Sequence, residues 1–237
     1  MSGHLRLERR RAWAVLAAPL LGCAPLPAEQ AAGTPAAAAA RHSTATLLAH
    51  GATVGAAIAL PTPGGTLLFT NAHVLRRAGS PLLARRADGG AEAPVRPLAL
   101  SGQLDLALLE APPGLFHPAA WEAAALPTGA PVWAVGPEGL GRSIARGEVT
   151  RPAVLMPGFG PGFTARLPVL MGFSGGPVLD AAGRVRGLTT ALPEAGAAPL
   201  LALLTGVDVA GLAAGARREV FALSIGAAMA EAAALLG

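Results

Sequence analysis

Residues 172–177 read GFSGGP and place Ser174 among three glycines. Glycines around a serine let the backbone turn tightly and let backbone N–H groups approach a bound carbonyl oxygen. The same composition also suits a glycine-rich hairpin with no chemical role. Residues 172–177 alone favour neither interpretation, and the positions of the other polar residues decide between them.

The order of acidic and basic residues along the chain separates the known catalytic schemes. GFSGG fits the G-x-S-x-G nucleophile elbow, in which an acidic residue and then a histidine follow the serine. All five histidines precede Ser174: His4, His42, His50, His73 and His117. The subtilisin order needs an aspartate before the histidine, but the first aspartate, Asp88, lies beyond His73. With His73 as the base, only the order His, Asp, Ser remains.

His73 and Asp105 both lie beside apolar runs of strand length. His73 belongs to TNAHV at 70–74, directly after such a run, and Asp105 begins DLALL at 105–109. A carboxylate at the start of an apolar run needs hydrogen-bond partners when it is buried, and an imidazole N–H supplies one. Taken singly, a strand-end histidine and a turn aspartate are open interpretations. Together with Ser174 they favour a catalytic triad.

The chain contains 31 glycines and 22 prolines, which divide it into short apolar runs. Short apolar runs bounded by turn residues predict β-strands. The predicted strands cover 54–60, 66–70, 81–86, 95–100, 104–110, 131–135, 144–155 and 177–192. A Pro-rich stretch over 111–129 predicts a crossover between two halves, and residues 226–236 predict a terminal helix. The pattern therefore predicts an all-β sandwich or barrel with helix only at its end.

The amino-terminal residues resemble an export signal. A basic stretch over 1–11 precedes an apolar run over 12–22, which is shorter than the roughly 20 residues of a membrane span. Cys23, the sole cysteine, follows Leu-Leu-Gly and resembles the lipidated cysteine of bacterial lipoproteins. We expect a signal peptide over 1–22, lipidation of Cys23 and an Ala/Pro-rich tether over 23–46. An ordinary signal peptide, with release into the periplasm or the medium, is the alternative.

Composition and charge exclude two classes of protein. Hydrophobic residues make up 52% of the chain and charged residues 14%, which excludes an intrinsically disordered chain. The net charge of +4 comes mostly from residues 1–22. The remaining arginine pairs are scattered along the chain, whereas nucleic-acid binding needs clustered cations. We therefore expect no nucleic-acid partner.

The segments TNAHV, DLALL and GFSGGP resemble the triad motifs of trypsin-like serine proteases, and in particular of bacterial HtrA-like proteases. Residues 135–141 with 147–149 are similar to the strand, loop and strand that open the second barrel of that family, and 221–224 to its closing strand. The resemblance implies two six-stranded antiparallel β-barrels, with the site in the cleft between them. Barrel 1 would cover about 47–115, barrel 2 about 128–225, and the protease domain 47–237, without a PDZ domain.

The resemblance also implies a role for each site residue. His73 would be the general base, Asp105 would orient its imidazole, and Ser174 would be the nucleophile. The backbone N–H groups of Gly172 and Ser174 would form the oxyanion hole. No metal or cofactor is implied, and the substrates would be proteins or peptides.

Two local features bear on specificity and activity. Residues 167–171 read LPVLM and contain no carboxylate, so we expect cleavage after small or medium apolar residues and not after Arg or Lys. Phe173 stands where the family usually has Asp or Asn. A catalytically silent relative that binds peptides or a partner is the alternative function, and an esterase with the same triad is a third.

Overall fold

The computed structural model describes residues 34–137, 144–169, 172–191 and 218–237. The first half contains seven strands, in chain order β1 Thr44–Ala49, β2 Ala52–Thr62, β3 Gly65–Thr70, β4 Leu82–Arg86, β5 Glu92–Pro94, β6 Arg96–Leu100 and β7 Ala107–Glu110. The described residues of the second half contain six: β8 Pro131–Val135, β9 Ile144–Met156, β10 Gly160–Leu167, β11 Pro177–Leu179, β12 Val185–Ala191 and β13 Arg218–Ser224. The helices are α1 Pro35–Ser43, α2 Ala72–Ala78 and α3 Ile225–Leu236.

The first half is an antiparallel sheet in the order β5-β4-β1-β2-β3-β7-β6. The predicted hairpin is confirmed, because β2 and β3 pair in register from Ile58 with Phe69 to Thr62 with Gly65. The first of the two expected barrels is a half-barrel: its antiparallel sheet has seven strands where six were expected, and it ends at β5 and β6. Two of the seven strands, β1 and β5, were not predicted, and β1 begins at Thr44 inside the stretch expected to be a tether.

The second half is a closed barrel of six strands in the order β10-β13-β12-β11-β8-β9. This confirms the predicted second barrel. Strand β10 was not predicted, because its sequence GPGFTARL mixes glycine, proline and arginine with few apolar residues. Strand β10 is buried because it pairs with β9 on one side and with β13 on the other.

The described residues contain helices at three places, so the prediction of helix only at the end was wrong. The terminal helix α3 is confirmed, and the Ser224 hydroxyl caps it by accepting a hydrogen bond from the Ala227 N–H. Helix α1 is alanine-rich, which explains its helical state within the expected tether over 23–46. Helix α2 is a short element directly after β3, and it carries His73.

One apolar core joins the two halves. It includes Ile58 and Phe69 from the first sheet, Leu188 and Phe221 from the barrel, and Ala228 from α3, all at most 1% exposed. The predicted crossover over 111–129 contains no strand and connects the two halves. The halves are therefore packed against each other through a shared core, which fixes their contact surface.

Among the described residues, no helix combines the length and the hydropathy that a membrane span needs. The predicted signal peptide and Cys23 lie outside the described residues.

Candidate active site

His73 and Asp105 form a closely bonded pair within the first half. The Asp105 Oδ2 lies 2.6 Å from the His73 Nδ1, and the Asp105 Oδ1 accepts a hydrogen bond of 2.9 Å from the His73 backbone N–H. Asp105 is only 4% exposed, so these bonds satisfy a buried carboxylate. Because an ionised carboxylate only accepts, the imidazole proton lies on Nδ1 and the Nε2 lone pair is left to act as a base.

Two local features of the chain produce this pair. Strand β3 ends at Thr70, and Asn71 has an extended backbone conformation immediately before α2. His73 therefore lies in the first turn of a helix that starts at the end of a buried strand. Asp105 lies two residues before β7, the strand that pairs with β3, so the sheet brings both side chains to the same end.

The loop that carries Ser174 belongs to the second half but is bonded to the first. The Ser174 carbonyl accepts a hydrogen bond of 2.9 Å from the Ala56 N–H, and the Gly175 N–H donates to the Thr189 carbonyl at 2.8 Å. Gly175 has a φ of +83°, and a Cβ there would lie 2.1 Å from the Thr70 Oγ1. Glycine is required at 175 because the loop lies directly against the strand that leads to His73.

Phe173 fixes the Ser174 loop from the other side. The side chain is 1% exposed and packs in the barrel core with Val132, Ala134 and Val178. A Cβ on Gly136 would lie 2.7 Å from the Phe173 ring, so the ring rests directly on the backbone of that glycine. Apolar packing thus holds the residue before the serine.

The structure brings the predicted site residues together to different degrees. His73 and Asp105 are in direct contact, and the Ser174 loop contacts Thr70, three residues before His73. Within the described residues, no hydrogen bond joins the His73 ring to the Ser174 hydroxyl. Gly172 has a φ of +100°, and no backbone hydrogen bond between described residues uses its N–H or that of Ser174.

The turn after the Ser174 loop is held by Asp180. Its Oδ1 accepts from the backbone N–H groups of Ala182 and Arg184, and its Oδ2 accepts from Arg184 Nε and Arg186 Nη1. Burial by itself raises the pKa of Asp180, but these hydrogen bonds outweigh it and hold the pKa below its ordinary value. The charged cluster thereby fixes the connection between β11 and β12, the two strands that follow Ser174.

The sequence pattern predicts no separate role for Asn71. Its side chain is fully buried and donates hydrogen bonds of 3.0 Å to the Asp105 carbonyl and to the Thr190 hydroxyl. An asparagine that precedes a helix ordinarily caps it, but the sequence predicts no helix after Asn71 and so gives no signal for this residue. Its actual partners lie in segments far away along the chain.

Comparison with known proteins identifies the family of the chain. A family model described as a trypsin-like peptidase domain matches residues 55–188, which is more than half of the chain and includes His73, Asp105 and Ser174. The chain belongs to the trypsin-like peptidase family. This membership places it among the serine endopeptidases. No curated protein matches the chain significantly in sequence.

Solved structures support the fold of this trypsin-like peptidase. The Rv3671c protease in its inactive form is 21% identical, with a TM-score of 0.63 over 86% of this chain and 94% of that one. The active form of Rv3671c from M. tuberculosis is 22% identical, with a TM-score of 0.61 over 86% of this chain and 85% of that one. The HtrA-type protease AlgW with a tripeptide is 20% identical, with a TM-score of 0.66 over 85% of this chain and 62% of that one. At these identities the likeness establishes the chymotrypsin-like fold.

Proposed function

We propose that this trypsin-like peptidase cleaves peptide bonds with His73, Asp105 and Ser174 through an acyl-enzyme. The observation that carries the proposal is the pair of hydrogen bonds between Asp105 and His73, one to the backbone N–H and one to the ring. Together they fix the position of the ring and its tautomer. The Ser174 loop, bonded to the same end of the first sheet, supplies the hydroxyl. The family match across all three segments supports the same assignment.

The chemistry follows from the proton positions. As the Ser174 Oγ attacks the scissile carbonyl carbon, its proton passes to the His73 Nε2, and Asp105 stabilises the imidazolium. When the C–N bond breaks, His73 donates that proton to the leaving amine, and an acyl ester remains on Ser174. A water molecule then attacks the ester, with His73 again as the base, and releases the acid.

The oxyanion of the tetrahedral intermediate needs donors that are in place before the reaction. We assign this role to the backbone N–H groups of Gly172 and Ser174. A donor of this kind contributes about 3 kcal/mol to transition-state stabilisation. The packing of Phe173 between them holds the loop without the polar side chain that is usual in the family.

Specificity follows from the absence of a carboxylate in LPVLM over 167–171. A cationic side chain of the substrate would find no counter-charge from this segment. We therefore propose cleavage after small or medium apolar residues.

The decisive experiment maps the bonds cut in a denatured model protein, with the wild type and Ser174→Ala in parallel. We expect cuts after residues such as Ala, Val and Leu with the wild type and none with Ser174→Ala. Cuts mainly after Arg would contradict the proposed pocket. Turnover of an acyl ester without any peptide cleavage would indicate an esterase, and the absence of both would indicate a silent peptide-binding relative.

We also propose that the protein is exported and anchored by a lipid on Cys23, at the periplasmic face of a bacterial membrane. The support is the position of the sole cysteine after an apolar run. The Cys23→Ser variant should move from the membrane fraction to the soluble fraction. An unchanged distribution would contradict the anchor.

A further inference from the structure

Asn71 occupies a helix-cap position but does not cap the helix. It directly precedes α2, with φ −81° and ψ 144°, and its side chain makes no capping hydrogen bond. Asparagine at this position ordinarily accepts a hydrogen bond from the first turn of its own helix. The fully buried amide of Asn71 donates instead to the Asp105 carbonyl and to the Thr190 Oγ1, both at 3.0 Å. The Asn71 side chain therefore does not stabilise the start of α2 and instead makes two hydrogen bonds to residues distant in the chain.

The orientation of the Asn71 amide follows from its partners. The Asp105 carbonyl can only accept, so the NH₂ group must face it. The Thr190 hydroxyl donates to the Leu188 carbonyl at 2.9 Å and is thereby free to accept from the same NH₂ group. The bonds form a directed chain from Asn71 through Thr190 to the backbone of β12.

These two bonds join the segments of His73 and Asp105 to β12, the strand that is bonded to the Ser174 loop. Asn71 itself lies two residues before His73, and its first partner belongs to the residue whose carboxylate holds the His73 ring. Its second partner lies on β12 next to Thr189. Thr189 exchanges backbone hydrogen bonds of 2.8 Å with Gly175 and Gly176, the two residues after Ser174.

We propose that Asn71 is a positioning residue that sets the distance between the His73–Asp105 pair and the Ser174 loop. The inference rests on the proposed function and adds to it. The pair belongs to the first half and the loop to the barrel, and the Asn71 side chain bonds to the Asp105 carbonyl in the first half and to Thr190 in the barrel. A shift between them of about 1 Å lowers the rate of the chemical step about 100-fold without a matching loss of substrate binding.

The test compares kcat and KM on a peptide substrate for four variants. Asn71→Asp keeps the size of the side chain and removes both donors. Thr190→Val removes the acceptor on β12, and Thr190→Ser restores it. The control is Thr164→Val on β10. It removes a buried hydroxyl that hydrogen-bonds to Thr150 and Glu219, away from the triad segments.

We expect Asn71→Asp to lower kcat about 100-fold and Thr190→Val about 10-fold, each with KM within about twofold of the wild type. Thr190→Ser should restore most of the wild-type kcat. Thr164→Val should lower the melting temperature and leave kcat unchanged. If Asn71→Asp does not fold, the comparison of Thr190→Val with Thr190→Ser still tests the proposal.

Two results would overturn the inference, and the wild type distinguishes them. A wild type that cleaves peptides, together with a fully active Asn71→Asp or Thr190→Val of lowered melting temperature, would make Asn71 purely structural and leave the proposed function standing. A folded wild type that does not cleave would overturn the proposed function, and this inference with it.

Discussion

The two halves of the molecule hold their parts of the site by different means. In the first sheet, hydrogen bonds join His73 to Asp105, and both residues belong to the same half. In the barrel, the apolar packing of Phe173 holds the residue before Ser174. Hydrogen bonds have strict geometry, whereas packing fixes position through volume. The halves should therefore respond differently to substitution. Substitutions in the first half should lower the rate of the chemical step, and substitutions in the second should displace the Ser174 loop or lower stability.

The largest effect on kcat is expected from a substitution of Asp105, in the first half. Asp105→Asn keeps the shape of the side chain but can donate to the His73 Nδ1, which puts the imidazole proton on Nε2 and removes the base. We expect kcat to fall about 10⁴-fold with little change in the melting temperature. Steady-state peptide hydrolysis measures this. A loss below about tenfold would show that Asp105 does not set the tautomer.

The next largest effect is expected at the contact between the halves. In Gly175→Ala the new Cβ would lie 2.1 Å from the Thr70 Oγ1 and 2.2 Å from the Ala56 carbonyl, at a φ of +83°. The displaced loop should lower kcat about 10³-fold through misplaced attack and lost oxyanion donors.

The matched control for Gly175→Ala is Gly64→Ala, in the β2–β3 turn. A Cβ at Gly64 meets nothing within 4 Å, and this variant should retain wild-type kcat. Equal kcat values for the two variants would contradict the close contact between loop and sheet.

In the barrel, Phe173→Ala should act on stability. Deleting a fully buried phenylalanine side chain costs about 3–5 kcal/mol in the free energy of unfolding, because a cavity remains. Phe173→Leu, which stays apolar and fills much of the volume, should cost clearly less. Urea unfolding measures both variants. Equal stability of Phe173→Ala and the wild type would mean that the ring does not anchor the loop.

The smallest effect concerns Asp180 and depends on pH. Because its pKa is lowered in the folded protein, its stabilising contribution is present above the ordinary carboxyl pKa of about 4 and is lost as the pH falls through the lower folded value. Asp180→Asn leaves Arg186, 6% exposed, without its counter-charge, and should cost about 3 kcal/mol at pH 7. The difference from the wild type should shrink below pH 4.

An exposed ion pair provides the control for Asp180. Arg96 and Glu110 form a bridge in which both side chains are more than half exposed, so Glu110→Gln should cost under about 1 kcal/mol. Unfolding free energies at pH 7 and pH 3 measure both variants. A difference between Asp180→Asn and the wild type that stays constant with pH would contradict the assigned pKa direction.

The sequence predicted the parts of the fold that depend on local signals. The β2–β3 hairpin is marked by the turn PTPGG at 61–65, and α3 by an alanine-rich run without breakers. Strand β10 was missed because pairing with β9 and β13, and not local composition, produces it. Helix α2 was missed because its seven residues are too few to show a helical period.

The sequence predicts the candidate triad residues but not the contacts that support them, for a related reason. The triad residues lie in short motifs, so the chain order and the resemblance sufficed to select them. The bonds of Asn71 to Asp105 and Thr190 span 34 and 119 positions along the chain. The packing of Phe173 on Gly136 is likewise a contact between distant segments. No local pattern specifies such contacts, since they depend on how the halves pack.

The most direct test of the account is covalent labelling of the folded protein by a fluorophosphonate, with the modified residue located by mass spectrometry. The account predicts one adduct on Ser174 in the wild type, and none in Ser174→Ala or His73→Ala. A folded wild type that forms no adduct on Ser174 would contradict it.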